Sequence, residues 1–496
     1  MSEPHPATRG FLQGNRGWLL GLVLVIGALL RLREAITVPL WFEEIYIAMV
    51  ARLPIPQLIE TLRHDIHPPL HYVIEHFWLA LGARSGYELK SLPILLALAS
   101  IVVCARLTRR MFGAGPALLT AALVAVAHGH VRFTQEAQAF ALEGLLVILA
   151  VSAAWDWIET RRTRSAVAYV VWGACAMYTH YVSLAILFVL LAWGVIVLRG
   201  DGRALARWLG LHAVLVLAFL PQLPTQISQF IQEDAAHHGH FPYRSDWFAL
   251  GHDLSGANYL IPVYALLALW PLVDRSRRRA ASLLLALAIL PLLSLRLWSL
   301  NFPRETTYVA LLLFPLVTTG ALTLPVRPLR FLVSAALLLF ALHADWKPDR
   351  FPEPIMLKRA ADELARTARP DDPILHSDTH SLLFFRFYDP AGNHRIVWRA
   401  DEGIPYFDGG LMVPDTWRIT PAGWDSLQAR DARWWGVSLN RAQVKPVHGH
   451  TRTGAEFDSV ARRVPGASSI DFAPVRLWES PAVVRAGGAA GAAEHH

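Results

Sequence analysis

Long apolar stretches alternate with short polar connectors over the first two thirds of the chain. Apolar runs fall at 18–35, 91–107, 115–129, 137–156, 166–179, 182–198, 206–222, 257–273, 280–296, 305–323 and 328–344, and they predict a series of membrane-crossing helices. A further run from Pro69 to Leu81 contains His71, Glu75 and His76 and would reach only about 20 Å as a helix. It predicts a juxtamembrane or half-inserted helix.

The connectors set the orientation. Basic clusters stand at Arg9/Arg16, Arg106/Arg109/Arg110, Arg161/Arg162/Arg164, Arg199/Arg203/Arg207, Arg275/Arg277/Arg278/Arg279 and Arg327/Arg330. If all of them are cytoplasmic, an even number of spans must separate each from the next. Two runs lie between 110 and 161, 164 and 199, 207 and 275, and 279 and 327. Three runs lie between Arg16 and Arg106, and the short one at 69–81 is the one read as non-crossing. The expectation is a polytopic α-helical membrane protein of about eleven spans, N-terminus inside and C-terminus outside. The run from Trp18 to Leu30 has the length of a signal peptide, but Arg31, Arg33 and Glu34 follow it without a small-x-small cleavage site. That predicts an uncleaved anchor.

Beyond residue 350 charge rises and turns such as Pro370-Asp371-Asp372-Pro373 lead into short apolar segments. This predicts a small C-terminal extracytoplasmic α/β domain. The expected division is a disordered cytoplasmic 1–16, a membrane domain 17–345 with its first outer loop at 37–90, a soluble domain 346–485 and a disordered tail 486–496.

Composition agrees. Mean hydropathy is +0.34, with 54% hydrophobic and 17% charged residues, too apolar for a soluble chain of 496 residues. The net charge of +7 does not imply a nucleic-acid partner, because the arginines sit in loops between apolar runs. Cys104 and Cys175 both lie within apolar runs, so neither is placed for a disulfide or a metal framework.

The topology gathers the candidate chemistry on the outer face: Glu43, Glu44, His67, Gln135, Glu136, His180, Tyr181, the loop 223–256 and Arg304. Glu43 and Glu44 follow Trp41, an interfacial anchor. They are either a solvated loop after a span, or a general base with a helper. A partly desolvated carboxylate beside a like charge is tuned towards deprotonating a hydroxyl near neutral pH. His67-Pro68-Pro69 opens a helix with Pro in its first turn, which places His67 at a helix N-terminus that attracts anions such as phosphate. The same residues also read as a plain capped turn. His67 and His71 are four apart, but the intervening Pro-Pro argues against a metal pair. Glu136 reads as a first-turn acid of the next span, and His180 as part of an aromatic belt. Arg304 either binds phosphate or snorkels. His237, His238 and His240 suggest metal by composition or a mobile polar loop.

Taken in order, these motifs resemble the GT-C superfamily of membrane glycosyltransferases, in the bacterial branch related to protein O-mannosyltransferases and the aminoarabinose transferase of lipid A. The residues that carry the likeness are Phe42-Glu43-Glu44, His67-Pro68-Pro69, Lys90, Arg109-Arg110-Met111-Phe112-Gly113, Gln135-Glu136-Ala137-Gln138-Ala139-Phe140 and Thr179-His180-Tyr181. The likeness is good over 15–200, looser to 345, and fades beyond. It implies sugar transfer, with inversion, from a polyprenyl-phosphate donor to a lipid, glycan or protein acceptor outside the bacterial inner membrane. By this resemblance Glu43 would be the base, and Glu44 and Glu136 would hold the acceptor or the base. His67, Lys90 and Arg304 would hold the donor phosphate, with Gln135, His180 and Tyr181 as further substrate contacts. The family pattern has Asp at Glu43, Arg at Lys90 and Gln138, and Tyr at Phe140. No cofactor is implied with certainty, and a divalent cation at the acidic pair is left open. Two other readings stand beside this one: a transporter or flippase of a lipid-linked substrate, and a non-catalytic relative.

Overall fold

The computed structural model describes residues 17–346 except 84, 238–245, 298–303 and 305, and residues 352–480 except 398–411, 430–431, 440–457, 459–460, 463–466 and 473. The fold is mostly helical, with one small sheet near the C-terminus. In chain order the first helices are α1 (Gly17–Ala35), α2 (Phe42–Ala51), α3 (Ile55–Arg63), α4 (Leu70–Ala80), α5 (Gly86–Phe112), α6 (Ala114–Val126), α7 (His128–Phe133) and α8 (Phe140–Thr160). There follow α9 (Thr163–Met177), α10 (Val182–Leu198), α11 (Gly202–Phe219), α12 (Leu223–His237), α13 (Asp246–Ser255), α14 (Ile261–Leu269), α15 (Arg278–Leu297), α16 (Thr306–Thr323) and α17 (Arg327–Trp346). The C-terminal elements are α18 (Pro352–Thr367), β1 (Pro373–His376), α19 (Thr379–Tyr388), β2 (Asn393–Val397), β3 (Arg418–Ile419), α20 (Pro421–Ala429), β4 (Trp435–Leu439), β5 (Ser468–Phe472) and β6 (Val475–Glu479).

Among the described residues, Gly86–Phe112, Phe140–Thr160, Gly202–Phe219 and Arg327–Ala344 are long and apolar enough to cross a membrane. The bent pair Ala249–Ser255 and Asn258–Leu272 adds a fifth if it is one span, and Ala114–Val126, Val182–Leu198 and Thr307–Thr323 are apolar but shorter. Helix boundaries follow local chemistry. Ser85 caps α5 by accepting the Glu88 N–H at 3.3 Å while Glu88 Oε2 accepts the Ser85 N–H at 2.8 Å. Asp201 caps α11 by accepting the Ala204 N–H at 3.0 Å.

The chain divides into two compact units, one of Met1–Thr37, Ile66–Ile74 and Leu81–Pro348, the other of Val38–Asp65, Glu75–Ala80 and Asp349–His496. The first is a packed helical body. Trp208 stacks on Trp157 and Tyr169, with ring centroids 5.4 and 5.1 Å apart. Gly320 lets α16 approach α14 closely, since a Cβ there would lie 2.1 Å from the Leu267 carbonyl oxygen.

The second unit holds a six-stranded sheet of order β3-β2-β1-β4-β6-β5. β1 runs parallel to β2 and β4, β2 parallel to β3, and β6 antiparallel to β4 and β5. α19 supplies the crossover between the parallel pair β1 and β2. Helix α2 packs in this unit against α19. The Phe42 and His380 rings lie 3.6 Å apart, and the Leu40 N–H donates to Tyr388 Oη at 2.8 Å.

Candidate functional site

The acidic pair stands on a helix. Trp41 is extended, α2 starts at Phe42, and Glu44 Oε2 accepts the Trp41 N–H at 2.9 Å, closing the first turn. A carboxylate in a first helical turn also suits the helix dipole. Glu44 is 1% exposed and Glu43 half-buried, so the solvated-loop reading of this segment is corrected. Glu44 has a buried carboxyl neighbour in the same unit. Glu75 of α4 is fully buried, and neither carboxyl oxygen has a hydrogen-bond partner among the described residues. Burial first, and then the neighbouring Glu44 charge, push its carboxyl up to about 8. Tyr46, on the same helix as the pair, donates to Asp65 Oδ2 at 3.0 Å. Glu43, Glu44, Glu75, Tyr46 and Asp65 all belong to the second unit.

The other predicted site residues, His67, Lys90, Gln135, Glu136, His180, Tyr181 and Arg304, belong to the first unit. His67-Pro68-Pro69 directly precedes α4, where prolines cost no helical hydrogen bond. The Leu70 N–H then donates to the Tyr178 carbonyl at 2.8 Å, tying this corner to the α9–α10 turn that carries Thr179-His180-Tyr181. In that turn His180 Nδ1 lies 3.4 Å from Glu143 Oε1, and its ring centroid is 5.9 Å from that of Phe140. The Arg304 guanidinium lies 5.6 Å from the centroid of the same Phe140 ring. His180, Glu143, Phe140 and Arg304 therefore form one cluster. Tyr181 is engaged differently: its hydroxyl donates to Gln229 Oε1 at 2.6 Å and accepts from Gln222 Nε2 at 3.0 Å, which fixes the start of α12. Lys90 is buried on α5. His71 is also buried, and burial pushes its imidazole down to about 3, so it is neutral.

The segment that leads into Gln135 is held by a buried arginine. Arg31 of α1 is fully buried. It donates to the carbonyls of Gly27 and Ala125 at 2.8 and 3.1 Å and to Thr134 Oγ1 at 2.9 Å, and contacts His130 Nδ1 at 2.8 Å. These bonds fix the segment that ends in Gln135, whose side-chain amide donates to Glu34 Oε2 at 2.8 Å. Glu34 in turn pairs with Arg33 at 3.0 Å.

Two sequence readings change. Glu136 is not in a first helical turn, because α8 starts at Phe140 and Glu143 takes that place. Glu143 and Glu75 are each an ionisable residue inside an apolar run, a signal in the sequence that marks a functional position, although only Glu75 was named above, as part of the 69–81 run. His237, His238 and His240 lie outside the residues whose side chains are described. The described His and Asp groups that cluster within metal-ligand reach are instead His128, His252 and Asp253.

No family model and no curated protein matches the sequence. Solved structures do. ArnT from Cupriavidus metallidurans bound to undecaprenyl phosphate aligns with TM-score 0.60 and 14% identity, over 94% of this chain and 98% of that one. Its apo state aligns with TM-score 0.62 at the same identity and coverage. The archaeal oligosaccharyltransferase AglB from Archaeoglobus fulgidus, in complex with an inhibitory peptide and a dolichol-phosphate, aligns with TM-score 0.51 and 12% identity, over 86% of this chain and 70% of that one. A match of this extent shows that this chain has the overall fold of these solved structures.

Proposed function

We propose that the protein transfers a sugar from a polyprenyl-phosphate donor to an acceptor hydroxyl on the extracytoplasmic side of the membrane, with inversion. The observation that carries this reading is the fold match to ArnT bound to undecaprenyl phosphate, which spans nearly all of both chains. The eleven-span topology with the C-terminal domain outside belongs to the same proposal, since the loop charges place Glu43, His67, Glu136, His180 and Arg304 on one side.

The chemistry follows from the residues. Glu43 takes the proton of the acceptor hydroxyl. The hydroxyl oxygen attacks the anomeric carbon from the face opposite the phosphate, the bond from that carbon to the phosphate oxygen breaks, and polyprenyl phosphate leaves with the electron pair. Such a leaving group needs cations more than an acid, and His67, Lys90 and Arg304 supply donors for it. Glu44, locked to the Trp41 amide, holds the first turn of α2 and with it the position of Glu43.

The test uses purified full-length protein in detergent with labelled polyprenyl-phosphate sugars. Acceptor-dependent release of free polyprenyl phosphate, with label moving to the acceptor, is the expected result. Label that stays on the lipid while the lipid changes leaflet in reconstituted vesicles would replace this reading with a flippase.

A further inference from the structure

We propose that His128, His252 and Asp253 form a binding site for a divalent transition-metal ion of the zinc type, which joins α7 to α13. One ligand atom from each residue lies within 4.8 Å of the other two. The His128 and His252 rings stand perpendicular, with centroids 5.7 Å apart, and His252 Nδ1 lies 3.8 Å from Asp253 Oδ1. His128 and Asp253 are buried, and His252 is half-exposed, so protein does not close the cluster on the His252 side.

Donor chemistry selects the ion. Two imidazoles and one carboxylate suit zinc and its neighbours, whereas calcium and magnesium take oxygen ligands. With metal–ligand bonds of about 2.0–2.2 Å, tetrahedral ligand atoms lie roughly 3.4 Å apart, so the cluster must contract by on the order of 1 Å. Three protein ligands leave a fourth position for water or an anionic oxygen.

The local fold prepares the arrangement. Ala127 breaks α6 from α7 and makes His128 the first residue of the new helix. α13 ends one turn after His252 at Ser255, whose hydroxyl bonds the Gly251 and Ala257 carbonyls at 2.6 and 2.8 Å. Gly256 then adopts φ +78, and a Cβ there would meet the Phe340 carbonyl oxygen at 2.8 Å, so the end of α13 is pressed onto α17. Both ligand-bearing helices thus have fixed ends. α7 leads directly into Thr134-Gln135, and α13 closes the connector that begins at α12. A bound ion would cross-link these two segments whether or not the sugar-transfer reading holds.

The experiment is metal binding by the full-length protein in detergent, stripped with chelator and titrated with Co²⁺. The expected result is one equivalent of Co²⁺ with visible d–d absorption, and a rise in Tm on adding Zn²⁺. His128→Gln and Asp253→Asn should each weaken Co²⁺ binding by at least about 10-fold. A triple variant of His237, His238 and His240 to Gln should leave the signal intact. Absence of a stoichiometric Co²⁺ signal in the wild type overturns the proposal, as does an unchanged signal in either ligand variant. Should His128→Gln fail to fold, Asp253→Asn decides.

Discussion

Glu75 lies buried beside Glu44, and the two carboxyls share the interior of one compact unit. With its carboxyl pushed up to about 8, Glu75 is protonated and neutral at pH 7 while an exposed glutamate is ionised. Helix α4, at 11 residues, is too short to span a bilayer.

The sign of the resulting pH dependence is fixed. The unfolded chain loses the Glu75 proton near the ordinary glutamate value of 4.5, and the folded chain keeps it to about 8. Between these values the native state binds more protons, so stability falls as pH rises. Glu75→Gln keeps the neutral shape and removes the slope, and should be the more stable protein at pH 7 by about 3 kcal/mol. Unfolding of both proteins in detergent between about pH 5 and 8 checks this. Parallel stability curves would remove Glu75 as a buried, proton-holding group.

Arg31 is the fastening of the Gln135 segment. Arg31→Lys retains the charge but loses the fork that reaches Ala125, Thr134 and His130 at once. It should cost on the order of 3 kcal/mol, and Arg31→Met at least as much, because buried acceptors lose their donor. The readout is Tm in detergent. Tm values equal to wild type would mean the segment is held by other contacts.

The C-terminal sheet carries a buried imidazole chain. His376 Nε2 contacts His394 Nδ1 at 3.0 Å, and His394 Nε2 contacts Asp389 Oδ2 at 3.1 Å. Burial outweighs the Asp389 charge and pushes His394 down to about 4, and burial also holds His376 well below the usual histidine range. In the unfolded chain both protonate near 6.5, so the unfolded state binds more protons below that pH and stability is lost as pH falls from 6.5 towards 4. Hydrogen exchange of β1 and β2, corrected for intrinsic rates, should show protection falling across that interval. Constant protection would place the imidazoles in contact with solvent.

The helical body was legible in the apolar runs, and its connectors in the arginines. The His67-Pro68-Pro69 corner and the Thr179-His180-Tyr181 turn were also legible, because prolines and interrupted runs mark ends locally. The setting of the acidic pair was not. Glu44 is buried by packing of α2 in the C-terminal unit against α19, more than 300 residues away in sequence, through Phe42 with His380 and Leu40 with Tyr388. No local pattern encodes that contact. The settings of Glu75 and Glu143 are hidden for a related reason: a single glutamate barely alters an apolar run, and its role depends on what tertiary packing sets beside it. The boundary of α8 shifted by three residues, which moved the first-turn acid from Glu136 to Glu143.

The proposed sugar transfer from a lipid phosphate turns on Glu43 as its base. Single-turnover transfer by Glu43→Gln, compared with wild type under saturating polyprenyl-phosphate donor and acceptor, tests it most directly. Loss of the base should lower the rate by about 10²–10⁴-fold, with folding and donor binding unchanged. Wild-type transfer by a folded Glu43→Gln protein would contradict it.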